Sequence, residues 1–149
     1  MSYEKDAKKY KLPGLKDIEN VFGLKIDEGS SLRDVFKEIM ERFRDAKNLI
    51  EPVLFIHEGS SPCCFYESSV LGKEKKVYLD LYKKIMEIEW YLERIYFDGR
   101  EKSIAEALKR CYDVWRNEVR DKILEFAKKM EDGWRNYKGK KNHTQPYLG

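Results

Sequence analysis

The sequence predicts an all-α protein, an elongated up-and-down bundle of three to four helices over about 31–50, 73–97 and 103–132/137. Three observations predict it. Apolar residues recur at helical spacing through all three segments. Capping and breaking residues stand where such helices would begin and end. The connection from Asp98-Gly99 to Ser103 is short enough to make the last two helices antiparallel neighbours. At 149 residues the chain suits one helical domain that buries roughly 70% of the surface its unfolded form exposes.

Taken in order, residues 1–12 read as a flexible basic arm, and Pro13-Gly14 as a turn. Leu15 to Phe22 offers two helical turns closed by Gly23. The loop Asp27-Glu-Gly-Ser-Ser31 ends in N-cap residues, with Asp34 placed to favour the first turn of the next helix. Leu32, Phe36, Ile39, Phe43, Ala46 and Ile50 then form a heptad seam, which predicts close packing of helix 31–50 on a neighbour. Pro52 removes a backbone donor and biases Glu51 away from helix, so the helix is expected to stop or kink there. Residues 51–72 read as an irregular excursion with room for one short helix.

Helix 73–97 carries two apolar stripes. One runs through Tyr78, Leu81, Ile85, Ile88, Leu92 and Ile95, the other through Leu79, Tyr82, Met86, Trp90 and Phe97. Their centres lie about 140° apart, too wide for a helix that buries one face only. The second stripe therefore predicts a protein partner or self-association through Leu79, Tyr82, Met86 and Trp90. The last helix opens on an apparent capping box, Ser103-Ile-Ala-Glu106. Its apolar positions Ile104, Trp115, Phe126 and Tyr137 step by eleven, which describes a nearly straight helix roughly 50 Å long. Gly133 argues for an end near Asp132, which would assign Trp134 and Tyr137 to a basic arm over 138–149 and its approach.

Charged residues make up 38% of the chain, a bias that resembles proteins from hyperthermophiles. The net charge of +3 is unevenly spread. Residues 1–16 hold five lysines against Glu4 and Asp6, and residues 134–149 hold Arg135, Lys138, Lys140 and Lys141 with no acid. The body between them is mildly acidic. No apolar run approaches the roughly 20 residues of a membrane span, and no signal-peptide core is visible, so the expectation is a cytoplasmic protein without membrane contact.

Three groups of residues carry candidate chemistry. Cys63, Cys64 and Cys111 with His57 lack the C-x₂₋₄-C spacing of structural zinc, and Cys111 falls on an apolar stripe, so neither a metal nor a cofactor is expected. Glu89 and Glu93 lie one turn apart inside the apolar arc of helix 73–97. Paired acids can hold a divalent metal or split their pKa values for acid–base work, so a metal-dependent phosphoester or nucleotide hydrolase is the alternative function. Glu38-x-x-Glu41 and Glu118-x-x-Asp121 match the spacings of helical nucleotide pyrophosphohydrolases formally, but Glu41 projects opposite the heptad seam of its own helix. The plainer expectation pairs Glu89 and Glu93 with Arg110, Arg116 or Arg120. Finally, Arg135, Tyr137, Lys138, Lys140 and Lys141 mix cations with an aromatic ring, a composition suited to phosphate neutralisation and base stacking in RNA or DNA. The leading expectation is a non-enzymatic helical interaction subunit of an intracellular assembly, with nucleic-acid association through its basic aromatic termini.

Overall fold

The structure, a computed structural model, describes residues 2–139. Among these residues all regular structure is helical. The α-helices are α1 (Tyr3–Tyr10), α2 (Leu15–Phe22), α3 (Leu32–Leu54), α4 (Pro62–Leu71), α5 (Lys75–Asp98), α6 (Glu101–Val114) and α7 (Arg120–Arg135). That exceeds the three or four helices expected, because α1 arises from the segment read as an arm, α4 is the one short helix the 51–72 excursion had room for, and a π turn divides the last helix into α6 and α7.

The N-terminal segment is a packed helix. The Tyr3 ring is fully buried, its hydroxyl donates to the Pro13 carbonyl at 2.7 Å, and its N–H donates to the Ser30 carbonyl at 2.8 Å. The lysines that suggested a solvated arm lie on the outer side, while Tyr3, Asp6 and Ala7 face inward. Burial of one aromatic ring and one alanine therefore outweighs the basic composition. α2 forms over the residues expected, and Gly23 closes it at φ 65°.

α3 begins with a reciprocal capping box: the Asp34 N–H donates to Ser31 Oγ at 3.1 Å, and the Ser31 N–H donates to Asp34 Oδ2 at 3.1 Å. The box expected at Ser103 and Glu106 does not form; α6 starts at Glu101, which places Ser103 inside its first turn. α3 also runs through Pro52 to Leu54. Burial of Val53 and Leu54 holds this last turn against the loss of one backbone donor. The heptad seam of α3 is buried throughout, and α5 lies antiparallel against it.

α4 occupies ten residues of the expected excursion. Ser61 caps it by accepting the Cys64 N–H, and Pro62 sits at its first position, where a missing N–H costs nothing. At its end a short 3₁₀ turn, Gly72–Glu74, leads into α5.

α6 and α7 are one chain direction interrupted by a π turn over Trp115–Val119, in which the Arg120 N–H donates to the Trp115 carbonyl five residues back. The cause is legible in the spacing. Cys111, Trp115, Val119 and Ile123 are separated by three successive steps of four. In an α-helix each such step drifts about 40° around the axis. The wider π turn absorbs the drift, so Cys111, Trp115 and Val119 all reach the core. Trp115 lies 5.4 Å from the Phe22 ring and 5.1 Å from the Phe43 ring, joining α2, α3 and the π turn in one aromatic cluster. Ring pairs of this kind add about 0.5–1.5 kcal/mol each beyond area burial.

Candidate functional site

α5 is the element on which the candidate residues converge, because it is bracketed by α3 on one flank and by α6 and α7 on the other. Its core stripe from Tyr78 to Ile95 is buried as expected. The flank toward α3 carries Glu89 and Glu93. Arg44 of α3 reaches both, with Nε 3.7 Å from Glu89 Oε1 and Nη2 3.2 Å from Glu93 Oε1, and its Nη1 is 2.7 Å from Glu41 Oε1. Lys47 Nζ stands 3.7 Å from Glu89 Oε2, a buried oxygen that makes no hydrogen bond.

The cations thus come from α3, and not from the arginines of the following helix. Arg110 pairs with Glu87 at 3.6 Å, Arg116 with Asp113 and Arg120 with Asp121. The reason is rotational: Glu87 lies two positions before Glu89 and so projects toward α6, while Glu89 and Glu93 project toward α3. Two cations and three carboxylates in one seam satisfy the demand that poorly hydrated charges be paired. A divalent cation at Glu89 and Glu93 would have to displace Arg44 and Lys47. Among the described residues no three His, Cys, Asp or Glu side chains cluster closely enough to share a metal ion. Glu41 lies on the exposed side of α3, as its opposition to the heptad seam requires.

Two turns before Glu89 on the same flank, the Tyr82 hydroxyl donates to Glu51 Oε1, and the Tyr82 ring meets Phe55 at 4.9 Å. Burial, then the hydrogen bond to Glu51, push the Tyr82 phenol up to about 12.

The outer face of α5 is open. Trp90 is 69% exposed and Phe97 82%, and Leu79 and Phe55 are also exposed, while Tyr82 and Met86 are half-buried. Leu79, Trp90 and Phe97 of the second stripe are therefore displayed at the surface, while Tyr82 turns toward α3.

The C-terminal residues read as nucleic-acid ligands have other neighbours. Arg135 pairs with Glu131 at 2.6 Å and Asp132 at 3.1 Å on its own helix. Tyr137 packs 4.9 Å from the Tyr66 ring and 5.2 Å from Trp134, and Trp134 Nε1 donates to Glu67 at 2.9 Å. Trp134 and Tyr137 thus lie against α4 and do not belong to an arm. α7 continues to Arg135 through Gly133, whose carbonyl accepts the Tyr66 hydroxyl. Lys138 is exposed, and Lys140 and Lys141 lie outside the described residues. Sequence reasoning missed this aromatic cluster, although Ser61-Pro62 already marked the helix that carries Tyr66.

The cysteines and His57 do not come together. Cys111 is buried in α6, where desolvation pushes its thiol up to about 12. Cys64 Sγ accepts the Ser61 hydroxyl at 3.3 Å, Cys63 is exposed, and His57 Nδ1 accepts the Gly59 N–H at 3.0 Å. Among the described residues no helix is long and apolar enough to cross a membrane. No family model matches the chain, and comparison with curated proteins and with solved structures yields no significant match.

Proposed function

We propose that this chain is a helical interaction subunit that presents the outer face of α5 to a protein partner in an intracellular assembly. One observation carries the reading: Trp90 and Phe97 are 69% and 82% exposed on a helix whose opposite face is fully buried. Scattered exposed apolar residues are ordinary. A row of them on one rigid helix, centred on tryptophan, matches the anchors that dominate protein interfaces. The ion pairs of Glu89 and Glu93 with Arg44 and Lys47 support a structural role for those acids over the alternative of a metal-dependent phosphoester hydrolase.

A tagged wild-type chain expressed in its source cells should recover a stoichiometric partner that Trp90→Glu fails to recover, in nuclease-treated and untreated lysates alike. Equal recovery by both forms would sink the reading. Recovery abolished by nuclease would instead favour nucleic-acid tethering through Lys138, Lys140 and Lys141.

A further inference from the structure

We propose that the occupant of the α5 outer face is a second copy of this chain, paired antiparallel about a two-fold axis at the level of Ile88. The proposal rests on the docking reading above and names its partner. Along the outer face, Leu79, Lys83, Met86, Trp90, Glu93 and Phe97 follow one another at alternating steps of four and three, the spacing of a coiled-coil seam. This seam is separate from the buried stripe and lies on the opposite side of the helix.

Within the seam, two positions are charged, and they fix both direction and register. With α5 antiparallel to its copy and the axis beside Ile88, Leu79 lies opposite Phe97 of the other copy and Met86 opposite Trp90. Lys83 then falls opposite Glu93. Every layer matches apolar with apolar or cation with anion, and the two-fold axis repeats each pair. Parallel pairing in register would set Lys83 against Lys83 and Glu93 against Glu93, which is unfavourable. Sliding by one heptad would set Lys83 against Met86, burying a charge against a thioether.

The flank agrees. Asp80 and Arg94 are exposed on the same edge of the seam, and the antiparallel register brings each within two positions, about 3 Å along the axis, of the other in the second copy. Glu87 lies one position from the axis and so approaches its own copy, and Arg110 of the same chain, at 3.6 Å, offsets its charge. The Glu93 side chain is 32% exposed and its carboxylate already pairs with Arg44 at 3.2 Å, so in the dimer it is shared between Arg44 of its own chain and Lys83 of the second copy. Such self-complementarity is what an isologous two-fold interface demands.

A charge exchange at the flank tests direction and register together. Light scattering coupled to size exclusion at about 100 µM, a concentration that reveals micromolar association, should show the wild-type chain as a dimer. Asp80→Arg and Arg94→Asp each create two like-charge pairs per dimer, and each should raise the dissociation constant about tenfold. The double variant D80R/R94D should return to the wild-type value, because the pairs are restored with their signs exchanged. All of these side chains are exposed, and unchanged far-ultraviolet circular dichroism checks the fold. A monomeric wild type overturns the proposal, as does a dimer indifferent to the single exchanges. A double variant no better than the singles overturns the antiparallel register. A monomeric wild type whose partner recovery still depends on Trp90 removes only the second copy, whereas recovery and dimerisation both indifferent to Trp90→Glu remove the docking face itself.

Discussion

A Cβ built on Gly133 would stand 2.9 Å from Val70 Cγ2, so α7 and α4 approach as they do because residue 133 has no side chain. The close approach lets Tyr66, Trp134 and Tyr137 stack, and it closes the end of the molecule away from α1 and α2.

Gly133→Ala separates two opposing effects. Alanine gains about 1 kcal/mol of helix propensity, but forcing a methyl into a packed contact costs about 1–3 kcal/mol. Valine is stiff at χ1 and cannot swing aside cheaply. We expect Gly133→Ala to lower stability in urea unfolding, and Val70→Ala/Gly133→Ala to recover part of the loss. A stabilised single variant would show that the contact yields without cost.

Arg44 is the cation shared by Glu41, Glu89 and Glu93. Removing it leaves Glu89, 14% exposed, with Lys47 alone at 3.7 Å. Arg44→Ala should therefore destabilise by about 1–3 kcal/mol, a figure reduced from that of a fully buried pair because the Arg44 side chain is 39% exposed. Glu89→Gln in the Arg44→Ala background should restore part of it, since the uncompensated charge is gone. A double-mutant cycle in urea that shows no coupling would contradict the pairing.

Tyr82 gives the protein an alkaline limit. Its phenol is raised from 10.0 to about 12 in the folded chain. The folded state thus holds this proton over a pH range in which the unfolded state has lost it. The resulting stability is complete below about pH 10 and disappears as pH rises toward about 12. Tyr3 and Tyr78 are shifted in the same direction by burial, so the comparison must be with Tyr82→Phe. That variant keeps the ring against Phe55 and should lose stability less steeply between pH 10 and 11.5. Parallel pH profiles for the two proteins would refute the assignment.

How much was legible in the sequence differs from element to element. The stripe from Tyr78 to Ile95, the heptad seam of α3 and the Gly23 and Gly99 caps depend on periodicity and local backbone preference, which a sequence carries directly. The exposed row around Trp90 was legible for the same reason: two stripes too far apart to share one core. The three steps of four from Cys111 to Ile123 also announced the π turn, but the eleven-residue average over the same stretch concealed it.

The sequence by itself therefore determined that the chain is helical, where its long helices lie, and which face of α5 is left over. Tertiary structure alone decided the partners: that Tyr3 is buried and not part of an arm, that Arg44 and Lys47 rather than Arg110 compensate Glu89, and that Gly133 admits α4 instead of ending a helix. The physical reason is range. Helix formation and amphipathicity are set within a few residues, whereas ion pairing and close approach depend on how helices distant in sequence rotate against one another, and that rotation is fixed by packing of the whole core.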